Sequence, residues 1–303
     1  MSNEPGRNIW TSFHGGVALD CSGGVKLWRL VHVHYTLCVL RHGRADWKYR
    51  QRHFSFTPGA VYVCEPGEAH ETRRVYCPGD FTVLFLDPTA IRDLAVELGI
   101  RGEPHFPVEG IARQDVLSSF SRFRNRLSAP HSEQVDEELA RLTSQLLLSA
   151  NPNARPHETS QTAVAKARRL LEDQFLADPT RVLSVRNLAS ELGIPYHSLV
   201  HGFSKYYSIA PYEFVSSMRA QHVLSELRRG PSGECATLTG VAHKWGYADS
   251  AHMTRALRQH FGATPGALAH QLNPTWKGVR RNSRSAPLQS EALAANDSQQ
   301  INE

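Results

Sequence analysis

The sequence contains no apolar run approaching the roughly 20 residues that a bilayer span needs, and residues 1–8 are polar. No membrane partner is expected, and the reading is of a cytoplasmic protein. Cysteine spacing of the metal or redox kind is missing as well. Cys21, Cys38, Cys64, Cys77 and Cys235 are odd in number and scattered, with no C-x-x-C pair. They are read as reduced, mostly structural thiols. Nor is there a large surplus of one charge sign. The 34 basic and 29 acidic residues leave +5, too little by itself to indicate nucleic acid. What remains is the composition of an ordinary globular protein, 41% apolar and 21% charged. A chain of 303 residues is long enough for two domains, each with its own core.

The small charge excess is unevenly placed. Residues 1–160 balance at 18 basic and 18 acidic, whereas residues 161–272 hold 12 against 8. Residues 25–86 alternate in short β-branched and aromatic runs, such as Trp47, Tyr49 and Phe54, Phe56. Pro-Gly pairs at 58–59, 66–67 and 78–79 punctuate them, a pattern of strands in a small antiparallel barrel or sandwich. Helices are expected over 89–98, 115–127 and 133–148, the last with Leu139, Leu142 and Leu146 on one stripe. That stripe either packs on its own domain or forms a dimer face, and a homodimer through residues 115–148 is expected. Residues 151–161 (NPNARPHETSQ) lack apolar periodicity and read as a linker, and from residue 273 a polar, disordered tail is expected.

Between linker and tail one pattern occurs twice. Val185, Leu188, Ala189 and Leu192 form a helical stripe, Gly193 follows, and Leu199, Phe203 and Tyr207 form a second stripe ending at Pro211. Leu238, Val241 and Ala242 then lead to Gly246, and Met253, Leu257 and Phe261 lead to Pro265. A small residue where two helices cross, followed four positions later by a glycine able to turn left-handed, is the logic of a helix-turn-helix. Ser184, Thr237 and Asp249 suit N-caps, and Pro195 suits a first helical turn.

Residues 245–268 (WGYADSAHMTRALRQHFGATPGAL) and, more loosely, 188–211 (LASELGIPYHSLVHGFSKYYSIAP) resemble the two units of the AraC/XylS family of bacterial transcription regulators. The resemblance implies a sequence-specific regulator, an activator or a repressor rather than an enzyme, with double-stranded DNA and RNA polymerase as partners. It also implies that residues 211–229 form a helix joining the units. At 1.5 Å per residue this helix is about 28 Å long, comparable to the ~34 Å between successive major-groove faces. Carried over position by position, the first recognition helix would present Tyr196, His197, Val200, His201 and Lys205 to DNA. The second would present Ser250, Ala251, His252, Thr254, Arg255 and Arg258. Arg255 is the strongest base reader, because arginine pairs bidentately with guanine.

Gly59, Glu65-Pro66-Gly67 and His70 resemble the second box of the cupin barrel used in AraC-like sensor domains, and His32-x-His34 resembles the first. A strand carrying His32 and His34 would place both rings on one face. Three imidazoles, His32, His34 and His70, would suffice for a metal, yet no acid follows the H-x-H before Gly43, and no metal or other cofactor is assigned. The resemblance implies instead a pocket for a small-molecule effector bordered by Trp28, His32, His34, Trp47, Tyr49 and His70. A barrel serving only dimerisation or protein contact is the alternative. The expected fold class is α+β. A cupin-like antiparallel β-barrel with a helical hairpin occupies residues 1–150. The linker spans 151–161, an all-α domain with two helix-turn-helix units spans 162–272, and the tail spans 273–303.

Overall fold

The computed structural model describes residues 6–130, 132–150 and 163–276. The expected linker and the tail beyond residue 276 lie outside them. Seven strands come first: β1 (Arg7–Phe13), β2 (Gly16–Gly24), β3 (Arg29–Val31), β4 (Tyr35–Tyr49), β5 (Arg52–Phe56), β6 (Tyr62–Cys64) and β7 (Ala69–Leu86). All pairings are antiparallel, in the order β1-β2-β7-β4-β5, with β3 on β7 and β6 on β4. Strands β4 and β7 pair along nearly their whole length, from Tyr35 with Leu86 to Tyr49 with His70. Register shifts between Leu40 and Trp47 let the ribbon bend, because a bulge kinks the strand that carries it. The sheet thereby rolls around a cavity. Among the described residues β1 and β5 remain unpaired edges, so the roll is open rather than closed by hydrogen bonds.

The sheet begins earlier than expected. Strands β1 and β2 precede residue 25, and their signal, the alternation of Trp10, Val17, Leu19 and Cys21 with polar or small residues, is interrupted by glycines. On β7, Leu84 and Leu86 pack with the helices α1 (Pro88–Glu97), α2 (Gln114–Arg126) and α3 (Glu133–Leu147). Val83 and Phe85 point the other way, into the roll. The leucine stripe of α3 takes the first of its two expected roles and packs on its own domain. Leu142 and Leu146 are 0% and 3% exposed within this core, where they cover the outer sheet face, and Leu139 packs at its edge. Only Leu139 of the stripe keeps part of its apolar surface exposed.

The rest of the chain is helical: α4 (Ala163–Ala177), α5 (Val185–Glu191), α6 (Tyr196–Tyr207), α7 (Pro211–Arg229), α8 (Leu238–Lys244), α9 (Ser250–Phe261) and α10 (Pro265–Leu272). None is long and apolar enough to cross a membrane, and the same holds for α1–α3. Residues 273–276, placed in the tail by sequence, are ordered. Trp276 is buried in the core of the second helical unit because its indole joins Cys235, Leu268 and Leu272 there. This core also contains Trp10, Leu19 and Phe85, so the helices close one mouth of the roll. The long helix α7 lies along β3. Its Ser217 Oγ and Gln221 Oε1 accept from the backbone amides of Val31 (2.9 Å) and Val33 (3.0 Å), satisfying donors on and just beyond a short strand.

Candidate DNA interface and the cavity behind it

Each helix-turn-helix unit is built as its sequence dictates. Ser184, Thr237 and Asp249 cap α5, α8 and α9 by accepting from the amides of Asn187 (3.2 Å), Gly240 (3.0 Å) and His252 (2.6 Å). Pro195 occupies the N-cap position of α6 instead of its first turn, with an extended ψ of 139°. Ala189 and Ala242 are buried at the helix crossings, and Gly193 and Gly246 turn with φ of 66° and 71°. Leu199 and Phe203 on α6, and Met253, Leu257 and Phe261 on α9, are fully buried, which fixes the opposite faces outward. On α6, Tyr196, His197, His201 and Lys205 are exposed and Val200 is half-buried. On α9, Ser250, Ala251, Arg255 and Arg258 are exposed, while His252 and Thr254 are half-buried. The Thr254 hydroxyl donates to the Ser250 carbonyl (2.7 Å), and the His252 ring meets Tyr247 edge-on. The predicted DNA-facing residues therefore share two outward helix faces.

Of the six residues expected around an effector, four line one cavity of about 70 Å³: Trp28, His32, Trp47 and His70. His34 and Tyr49 do not. Residues 32–34 form the connection between β3 and β4 rather than a strand, so alternation does not apply to the H-x-H, and the two rings diverge. His34 turns toward α7, where its Nε2 lies 3.1 Å from Ser225 Oγ, and burial pushes its pKa down to about 4. Tyr49 is buried in the sheet core with its hydroxyl accepting from the Glu65 amide (3.0 Å). Glu65 of the cupin-like box is also structural. Its carboxylate is held by the buried Arg50, by His105 Nδ1 (2.8 Å) and by the Phe106 amide (2.8 Å).

Within the cavity, His32 Nε2 and His70 Nδ1 are 2.6 Å apart, and the His70 ring lies over Trp47 at 4.6 Å. Burial drives both imidazoles neutral, His70 to about 4 and His32 well below its usual range. Cys64 and Thr72 also lie on the wall, and the Thr72 hydroxyl is buried without a partner. Neither is flagged by sequence, because which residues of β6 and β7 face inward depends on bulges that no pattern reveals.

Two lysines connect this sheet to the recognition helices. Lys26, on the cavity wall, donates from Nζ to the Gln259 (2.5 Å) and His260 (3.1 Å) carbonyls in the last turn of α9. Lys48, next to Trp47 on β4, donates to the Lys205 carbonyl (3.4 Å) in the last turn of α6. A cation at a helix C-terminus complements the helix dipole and the unpaired carbonyls there. Burial lowers the Lys26 pKa to about 8. Sequence alone marks neither lysine, since each partner lies more than 150 residues away.

Comparison with known proteins agrees with this geometry. A helix-turn-helix domain family matches residues 188–271, which span α5 to α10. No curated protein matches the sequence. Unsaturated fatty acid-bound ToxT from Vibrio cholerae is similar over 90% of this chain and 98% of its own, at 11% identity and a TM-score of 0.50. The AraC-like transcriptional activator CuxR is similar over 70% of this chain and 78% of its own, at 14% identity and a TM-score of 0.39. The C-terminal domain of AraT, a response regulator from Geobacillus stearothermophilus, covers 43% of this chain and 98% of its own, at 13% identity and a TM-score of 0.33. The two capped units, their outward helix faces and the domain match converge. Residues 188–271 form a helix-turn-helix domain behind an antiparallel sheet domain, a fold similar to that of ToxT.

Proposed function

We propose that the chain binds double-stranded DNA through α6 and α9 as a homodimer, engages RNA polymerase, and changes its DNA affinity when a small effector occupies the cavity. One observation carries the effector half: Lys26 is at once a wall of the cavity and a donor to the last carbonyls of the second recognition helix. A ligand that displaces this side chain acts on α9 directly, and only such differential contact can shift an equilibrium between states. The leucine stripe is buried on its own sheet, which supports seeking the dimer contact elsewhere on the sheet domain. ToxT has been crystallised with an unsaturated fatty acid, which supports reading the sheet domain as a sensor.

Two variants test the proposal in the full chain. Arg255→Ala leaves the α9 core intact and is expected to cost about 1–3 kcal/mol in operator binding and to relax discrimination at one base pair. Uniform weakening on all sequences would make Arg255 a phosphate contact. Lys26→Met keeps the aliphatic stem and removes the tie to α9. It is expected to shift operator affinity several-fold with an unchanged circular dichroism spectrum, and an unaltered affinity would refute the coupling route.

A further inference from the structure

The cavity is too small for most organic effectors as it stands. An engineered cavity of about 150 Å³ holds benzene, and drug-sized ligands fill about 300 Å³ or more. The roughly 70 Å³ available here suits an ion with a water molecule. Among the described residues, His32, Cys64 and His70 form a group whose ligand atoms all lie within 4.8 Å of one another, and all three are buried. We propose that His32, Cys64 and His70 bind a soft monovalent metal ion, copper(I), inside the roll.

Three features support the assignment. The first is ring orientation. With nitrogens 2.6 Å apart, centroids 4.8 Å apart and planes at 21°, the two imidazoles meet edge to edge, so two ring nitrogens already converge on one point. Thr36 Oγ1 donates to the His34 carbonyl (3.3 Å) and therefore accepts from His32 Nδ1 (2.9 Å), which leaves the lone pair of His32 at Nε2, toward His70. Two nitrogens on one metal sit roughly 3.3–3.5 Å apart, so the rings need to part by less than about 1 Å.

The second feature is charge. Among the residues lining the cavity there is no carboxylate, while Lys26 and Arg44 contribute positive charge. One thiolate and two neutral imidazoles balance a single positive charge and leave a neutral complex. A divalent ion would leave a net buried charge, which is costly in an apolar enclosure. The third is softness: a thiolate with two imidazoles favours copper(I) or zinc(II) over the hard ions, and of these two the charge balance favours copper(I). On binding, the Cys64 thiol releases its proton to solvent as the sulfur–copper bond forms. His70 moves its proton from Nδ1 to Nε2, and neither copper nor sulfur changes oxidation state.

This inference names the ligand class of the proposed sensor cavity, and it rests on that reading only for its effect on DNA. The test uses the full chain with Cys77→Ser, which removes the exposed thiol. Copper(I) is supplied without oxygen in competition with a colorimetric copper(I) chelator. One equivalent retained per chain is expected, with retention at least about tenfold lower after Cys64→Ser or His70→Gln and for zinc(II) in place of copper(I). Equal retention by Cys64→Ser, or zinc(II) held as tightly as copper(I), would overturn the site. Should the variants misfold, X-ray absorption on the copper-loaded parent decides: one sulfur and two nitrogen neighbours support the site, and a sulfur-free or multi-sulfur shell refutes it. Operator affinity with and without copper is measured separately. Binding without a change in affinity keeps the metal site and refutes the sensor reading.

Discussion

At the scale of single residues, the repeat exposes where one unit carries strain that the other avoids. Helix α9 ends at Gly262 with φ of 71°, and α6 ends at the corresponding Ser208 with φ of 64°. A non-glycine residue in the left-handed region costs about 1–2 kcal/mol, partly offset by the greater freedom of glycine when unfolded. Ser208→Gly is therefore expected to raise stability by about 0.5–1 kcal/mol in urea unfolding. The turn glycines differ in the other sense. A Cβ on Gly246 would sit 2.0 Å from the Pro179 carbonyl oxygen, while one on Gly193 meets nothing within 4 Å. Gly246→Ala should thus destabilise by clearly more than Gly193→Ala, and equal losses would show that the backbone at Pro179 yields. The repeat itself was legible in sequence because both glycines sit at fixed offsets from buried alanines. The close approach of Pro179 was not, since it comes from the segment after α4, outside the repeat.

At the scale of elements, periodicity predicted helices well and their neighbours poorly. The joining helix α7 spans residues 211–229 as expected, and its caps and those of α5, α8 and α9 follow local chemistry. What α7 touches was invisible. Its Ser217 and Gln221 read as ordinary polar positions, yet both are fully buried against backbone amides at and just after β3. The stripe on α3 was equally ambiguous, because a leucine row looks the same whether it covers a sheet or another chain. Leu142→Ala is expected to cost about 2–5 kcal/mol of chain stability without changing the sedimentation coefficient of the folded protein. Dissociation at unchanged stability would return the stripe to a dimer interface. The effector residues divide less simply: Trp47 and His70 line the cavity from strands, Trp28 and His32 reach it from connections, Tyr49 lies on β4 yet packs in the sheet core, and His34 turns toward α7.

At the scale of the molecule, the sheet and the helical domain share a core, and buried histidines sit along the seam. His222 faces the Trp245 ring at 4.7 Å with His34, Phe175 and Arg229 nearby, and His260 packs near Ser216 and Lys26. Burial, with adjacent positive charge, pushes both down to about 4. Their unfolded value is about 6.5, so between 6.5 and 4 the unfolded chain binds more protons than the folded one. Stability is fully present above pH 6.5 and falls as the pH drops toward 4, by roughly 2 kcal/mol for each group at pH 5. Denaturant midpoints at pH 7 and pH 5 check the sign. A midpoint that holds or rises at pH 5 would mean that these rings accept protons in the folded state.

The paired lysine contacts have a consequence for the phase of the DNA helix. Were α6 and α9 joined by α7 alone, a slight bend in that helix would let the two adjust to sub-sites of unequal separation. Lys48, on β4, and Lys26, in the connection from β2 to β3, instead hold the trailing ends of both to the β-roll. The angular offset between the two reading helices is then a property of the β-roll, and DNA must conform to it. Adding one base pair between the sub-sites turns the far one by about a tenth of a revolution. A binding loss of roughly tenfold is expected for the parent chain, with a clearly smaller loss when Lys26 and Lys48 are both methionine. If spacer length affects both proteins equally, the tolerance for operator phase lies in α7 and not in the sheet.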